Sequence, residues 1–266
     1  GFRLGYHYSE NQYHLIQLFN EVFGGSPTAK LFLNVREKMS LCYYCSAGFN
    51  RGKGLIMVQS GIENENEQKA ILLIVRRENG CLRRYCHLGT GNYNENTARI
   101  YSDLSLLTCN EHLGADASQF FNSVTGLTRL MRFRRMYPAP TTMKARLLEL
   151  IEAEIHRAQQ GERAVIRAKM NSLNDVDMMT ALERAAEAGV KIQRNIRGIC
   201  CWAPTTAKAQ ACTRITSIVD RYLEHARLFH FHNGGNPLVY MASADWMSRN
   251  LDRRVELLVH IEGPDQ

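Results

Sequence analysis

The stretch from Arg214 to Val259 constrains this chain most. It carries His225 and Arg227, an apolar run, a Gly234-Gly235 turn, a second apolar run and then SADWMSRNLDRR. On a β-strand, residues two apart face the same way, so His225 and Arg227 project together. An imidazole beside a fixed guanidinium suits an anionic group in transfer. The histidine takes part in proton or phosphoryl movement, and the arginine holds oxygens in pairs. Arg249, Arg253 and Arg254 follow closely, where few structural roles need three guanidinium groups. The competing reading is a solvated basic strand end with a satisfied histidine.

The net charge of +7 and a pI near 9.0 favour polyanionic partners, whether nucleic acid, nucleotide or polyphosphate. No lysine- or arginine-rich tract and no aromatic-interleaved basic repeat appears, which argues against a dedicated nucleic-acid module. No apolar run reaches the ~20 residues of a membrane span, and the first residues lack a signal-peptide pattern. The expected location is the cytoplasm. The eight cysteines read as reduced thiols there. A zinc site from Cys42 and Cys45 with Cys81 and Cys86 is the alternative, although one pair alone has ligand spacing.

In chain order, Leu15, Ile16 and Phe19 recur at helical spacing before a Gly24-Gly25-Ser26-Pro27 break, and Leu31 to Leu33 reads as a short buried strand. CLRRYCH is a strand running into GTGNYN, whose glycines let the backbone approach an anion. His87, the imidazole nearest this turn, is a candidate site residue with a structural alternative. A helix spans roughly 115–123, and RFRRMYPAP, from Arg132 to Pro140, reads as the connection between two halves. In the second half, Leu147, Leu148, Ile151 and Ile155 form a helix stripe ended at Gly161. AVIRAKM is a strand, and Asn174 caps the next helix, which stops at Gly189. VKIQRNIRG then delivers Arg197 at a strand's C-terminal end, where open α/β sheets bind ligands. Arg194 occupies an apolar position of that strand and is expected to weaken it.

The halves echo each other. GTGNYN begins at Gly89 and ASADWM at Ala242, and each is followed at the same offset by an acid, Asp103 or Glu256. Such recurrence indicates an internal repeat.

Three segments together resemble the C-terminal catalytic region of the histidine-dependent bacterial polyphosphate kinases. They are CHLGTGNYNENTARIYSDLSLLT, KMNSLND through IRGIC, and SIVDRYLEH through NGG to SADWM-x-RN-x-D-R. The resemblance covers about Leu82 to Ile261. It implies an α/β chain of two tandem phospholipase D-like domains, residues 1–135 and 136–266, each a mixed β-sheet flanked by helices. It also implies ATP and Mg2+ as cofactors and inorganic polyphosphate and adenine nucleotide as partners. By resemblance His225 is catalytic; His87, from its nearness to the glycine turn, is the second catalytic candidate. Tyr101, Arg197, His225, Arg249 and Arg253 contact nucleotide or phosphate, and Arg3 and Arg36 lie near the magnesium. One departure stands out. The family's nucleophilic histidine falls on Gln68, with Ala70 in place of its lysine, and no histidine occurs between His14 and His87. Two alternatives follow: a catalytically inactive polyanion- or nucleotide-binding fragment, and a phospholipase D-like phosphodiesterase or nuclease. The latter would use His225 in a symmetric dimer, which places a homo-oligomer among the expected partners.

Overall fold

The computed structural model describes residues 2–3, 9–26, 28–33, 44–51, 55–61, 71–124 and 132–262. The chain divides into two compact units, Gly1–His87 with Leu107–Arg134, and Leu88–Leu106 with Arg135–Gln266.

The first unit holds β1 (Phe2–Arg3), α1 (Glu10–Asn20), β2 (Tyr44–Asn50), β3 (Leu55–Gly61), β4 (Leu72–Glu78) and most of β5 (Cys81–Gly89). Ser9 starts α1 with a capping box: its hydroxyl accepts from Gln12, whose side chain accepts from the Ser9 backbone. The helix is tied inward by Asn20, whose amide donates to the Ala47 carbonyl of β2. Leu31 and Phe32 are helical rather than extended. Leu31 is buried against Gly24, so local packing overrides the strand propensity of an apolar triplet. β2 and β3 form an antiparallel hairpin, and β4 pairs antiparallel with β5.

Leu88–Leu106 adds α2 (Glu95–Ala98) and β6 (Tyr101–Ser102) to the second unit, while β7 (Ser105–Thr108) leads back to α3 (Glu111–Val124) of the first. The remaining chain gives β8 (Met136–Ala139), α4 (Met143–Gln159), β9 (Val165–Met170), α5 (Val176–Ala188), β10 (Lys191–Ile196), α6 (Ala207–Cys212) and β11 (Thr213–Thr216). It closes with β12 (Leu223–Glu224), β13 (Arg227–Phe231), β14 (Leu238–Ala242), α7 (Ser248–Asp252) and β15 (Glu256–Ile261). Seven strands make one mixed sheet in the order β11-β10-β9-β13-β14-β15-β8. The first three run parallel and the rest are antiparallel. The expected α/β class is what forms.

Residues 136–139, read from sequence as part of a connection, are the edge strand of this sheet. Pro138 is tolerated there because an edge strand can lack a donor. Asp175, not Asn174, caps α5 by accepting from Met178, and Lys144 pairs with the same carboxylate at 2.9 Å. Gly189 ends α5 at φ 103°, a conformation that favours glycine. Arg194 is buried without harm to β10. Its guanidinium lies 4.1 Å from the Trp202 ring centroid and donates to the Trp202 carbonyl at 3.1 Å. Burial pulls its pKa down, and the ring face and carbonyl offset the cost of holding the charge there.

The α4 stripe Met143, Leu147, Leu150, Ile151 and Ile155 packs on one sheet face together with α5. Glu154 sits in the same stripe, 1% exposed. Its carboxylate accepts the backbone N–H of Val165 at 2.8 Å and of Asn233 at 2.6 Å, tying α4 to the start of β9 and to the Gly-Gly turn. Glu154→Ala leaves both donors unmatched. It is expected to cost about 2–6 kcal/mol, at roughly 1–3 per buried group, read as a lower urea midpoint with an unchanged slope.

Candidate active site

Short parallel pairing places the histidine. Leu223 and Glu224 of β12 lie beside Tyr101 and Ser102 of β6, and the His225 N–H donates to the Ser102 carbonyl at 3.0 Å. Asp103 therefore emerges next to His225. Its two oxygens stand 2.9 and 3.1 Å from His225 Nδ1. Gly91 is required for this arrangement, because a Cβ there would collide with the Asp103 carboxylate.

On the other side of the ring, Arg227 Nη1 lies 2.8 Å from His225 Nε2. A guanidinium can only donate, so Nε2 accepts and the proton resides on Nδ1, directed at Asp103. His225 is thus a neutral imidazole in one fixed tautomer, 6% exposed, with its basic nitrogen facing a cation. The Tyr101 ring packs against it, centroids 4.5 Å apart.

Arg227 is 3% exposed and held in a fork by Asp245, Nε to Oδ1 and Nη2 to Oδ2, both 3.1 Å. Its Nη1 also donates to the Thr90 carbonyl at 3.3 Å. Asp245 in turn accepts the Asn171 N–H at 2.8 Å, and Asn171 Oδ1 accepts from Arg197 Nη2 at 2.9 Å. A continuous chain of bonds therefore links Asp103, His225, Arg227, Asp245, Asn171 and Arg197 at the ends of β9, β10, β13 and β14. Burial opposes ionisation of Asp103, yet the hydrogen bonds from His225 and the Thr90 hydroxyl and the nearby Arg227 charge outweigh it and hold the carboxyl below its usual range.

The charges separate the two arginines. Arg227 is matched by a carboxylate, whereas the described partner of half-buried Arg197 is a neutral amide. Among the described contacts Arg197 therefore has no carboxylate partner, whereas Arg227 is held by Asp245 and bonded to the histidine.

The sequence echo is a structural one. Thr90 Oγ1 donates to Asp103 at 2.8 Å and accepts the Leu104 N–H, while the Thr90 N–H donates to the Leu104 carbonyl. Ser243 repeats all three bonds with Glu256 and Leu257. One copy points its acid at His225. The other points its acid at Asn250 Nδ2, 2.8 Å away.

Residues 136–266 match the family model described as Polyphosphate kinase C-terminal domain 2, and residues 52–130 match Polyphosphate kinase C-terminal domain 1. The chain belongs to the polyphosphate kinase family. A polyphosphate kinase of Rhodopirellula baltica is 47% identical over 209 residues, 79% of this chain and 24% of that protein. One from Exiguobacterium sibiricum is 36% identical over 263 residues, 94% of this chain and 37% of its own length. The crystal structure of polyphosphate kinase from Porphyromonas gingivalis superposes with a TM-score of 0.66 at 35% identity, covering 83% of this chain and 31% of that one. The chain thus spans between about a quarter and somewhat over a third of these relatives. Residues 1–77 also match a model of the inactive domain of M16 peptidases.

Within this polyphosphate kinase family member, the structure gathers His225, Tyr101 and Arg197 from the sequence expectations. Arg249 and Arg253 are exposed on α7 and at its C-terminal cap. His87 lies half-buried on β5, paired with Leu72 in the first unit. Gln68, Ala70 and Arg36 lie outside the described residues, as does the Arg3 side chain. Asp245 and Asn171 were missed: they fall within the SADWM and KMNSLND segments read from the sequence, but neither was assigned to the site. Asp103 was marked by the repeat but not assigned to the site. Among the described residues no three His, Cys, Asp or Glu side chains stand together as metal ligands. Asp103 and Asp245 are both engaged, so these side chains do not fit a magnesium site of their own. Of the zinc alternative, Cys42 and the Cys45 side chain lie outside the described residues, while Cys81 and Cys86 are free thiols, with burial pushing the Cys86 thiol up to about 11. Among the described residues no helix is long and apolar enough to cross a membrane.

Proposed function

We propose that this chain is the C-terminal catalytic core of a polyphosphate kinase, moving the terminal phosphate of ATP reversibly to inorganic polyphosphate. The observation that carries this reading is the fixed His225 tautomer. Nε2 keeps its lone pair toward a guanidinium, where a phosphate oxygen would also be drawn. As phosphate enters, its oxygens compete for Arg227 and Arg197, and Nε2 becomes free to accept or return a proton. Asp103 stabilises the imidazolium formed in that step without itself taking the proton. Phosphoryl transfer depends chiefly on positioning and charge neutralisation, which suits an array whose groups are already bonded in place. Tyr101 offers a ring edge for the nucleotide, and exposed Arg249 and Arg253 offer charge for the chain of phosphates. Bound magnesium would neutralise ATP phosphates, held by those phosphates rather than by a cage of protein ligands.

A second reading has its own support. No histidine lies between His14 and His87, and Gln68 falls in a segment matched by two unlike families. A core without its own nucleophile would bind polyphosphate and nucleotide without transferring phosphate. Incubation with terminally labelled ATP, magnesium and polyphosphate separates the readings. Label in polyphosphate supports transfer, and bound but unlabelled polyphosphate supports the binder. DNA degradation without ATP would overturn both in favour of a phosphodiesterase.

A further inference from the structure

The sheet of the second unit has a second face. Along β9, β10 and β13 the side chains alternate, with Ile166, Ala168, Ile192, Phe229 and Phe231 turned to the core beneath α4 and α5. The residues between them line a groove of about 430 Å3 on the opposite face. Strand register arranges these as two rows across the sheet. One runs Arg214, Gln193, Arg167, His230 and Val239, and the other runs Thr216, Asn195, Lys169 and Leu228.

Adjacent strands lie ~4.8 Å apart and alternate residues on one strand about 7 Å apart. Arg214 and Arg167, two strands apart, are therefore separated by roughly 10 Å, with Lys169 about 7 Å from Arg167 along its strand. Among the described residues no carboxylate lines the groove. Glu224 reaches Lys169 from the strand end at 3.1 Å, and Arg167 Nε is fixed by Gln193 at 2.9 Å, leaving its outer nitrogens to the groove. Arg167, Gln193, Arg214 and Thr216 are exposed.

Arg167 and Arg214 supply the charge not matched by a described carboxylate, with Lys169 paired to Glu224 beside them, and cations spaced this way do not converge on a single phosphate. They match an anion that extends across the strands and carries charge at each step. Among the described residues no Phe, Tyr or Trp side chain faces the groove, since Phe229 is stacked on Trp246 in the core, and the single imidazole of His230 does not make a platform for successive bases. We propose that this groove is a second binding site for extended inorganic polyphosphate, separate from the His225 cluster; the choice of anion rests on the function proposed above. Such a site would hold a long chain on the protein while its end is processed elsewhere.

The test uses the full 266-residue chain, titrated calorimetrically with long-chain polyphosphate, tripolyphosphate and single-stranded DNA over a range of salt. Arg167→Gln with Arg214→Gln removes two exposed charges without touching the core. It should weaken long-chain binding about tenfold or more and flatten the salt slope by about 1.4, at roughly 0.7 per cation. Tripolyphosphate binding should stay unchanged. Arg197→Gln should do the reverse, weakening tripolyphosphate and sparing most long-chain affinity. Unchanged long-chain binding in the groove variant overturns the proposal, as does DNA that binds as tightly as polyphosphate. If Arg197→Gln alters nothing while the groove variant loses binding, the catalytic reading falls and the groove stands.

Discussion

His225→Gln should lower ATP–polyphosphate exchange by about 10²–10⁴-fold, the usual contribution of a positioned acid–base group, while leaving the thermal midpoint close to wild type. Glutamine is the informative replacement because the histidine is not a loose strand-end residue. At 6% exposure it bridges Asp103 and Arg227, so alanine would take one partner from each and leave Thr90 as the remaining partner of the Asp103 carboxylate and of Arg227 Nη1. A glutamine amide can donate to Asp103 and accept from Arg227, but it cannot exchange a proton at neutral pH. Stability and chemistry are thereby separated. Exchange that survives in a folded His225→Gln variant would remove His225 from the reaction. Where the wild type itself shows no exchange, tripolyphosphate binding is the readout, and an unchanged affinity in the variant would remove His225 from the phosphate site as well.

Much of the second unit was legible because its signals are local and repeated. The α4 stripe at Leu147, Ile151 and Ile155, the stop at Gly189 and the strand ending at Arg197 each follow from spacing alone. The helix cap slipped by one residue because Asn174 and Asp175 are both good caps, and Lys144 favours the acid. The Leu31–Leu33 triplet misled because a short apolar run carries no period, and its contacts to Gly24 decide its conformation. At the site, spacing predicted that His225 and Arg227 project together, and they do meet at 2.8 Å. What spacing could not supply was the partner of each. Asp103 is 122 residues from His225, and it arrives only because β6 pairs with β12. Asp245 reaches Arg227 from the far side of a hairpin. The first segment was hardest to read because its resemblance is divided: residues 52–77 fall within matches to both the polyphosphate kinase domain and the M16 peptidase domain.

Asp245→Ala should destabilise the second unit by about 3–5 kcal/mol, the range for breaking a buried ion pair from one side. The argument rests on what is left behind. Arg227 is 3% exposed and its fork is filled by the two Asp245 oxygens, so removing the acid strands a charge that cannot reach water. Asp245 Oδ1 also accepts the Asn171 backbone N–H, so a buried donor loses its acceptor in addition. A surface pair would contribute about 0–1 kcal/mol, and the burial of both partners is what raises the estimate. The pair itself need not be a net gain in stability, because two desolvated charges can be replaced by apolar groups at little cost. Combining Asp245→Ala with Arg227→Met should therefore recover a large part of the loss, although this double variant has no clamp on His225 and should bind phosphate poorly. Denaturant melts of the wild type, both single variants and the double variant measure the coupling directly. A single variant within about 1 kcal/mol of wild type, inside the range of an exposed pair, would show that water reaches Arg227. In that case the guanidinium would not be a fixed clamp, and the tautomer of His225 would not be set by it.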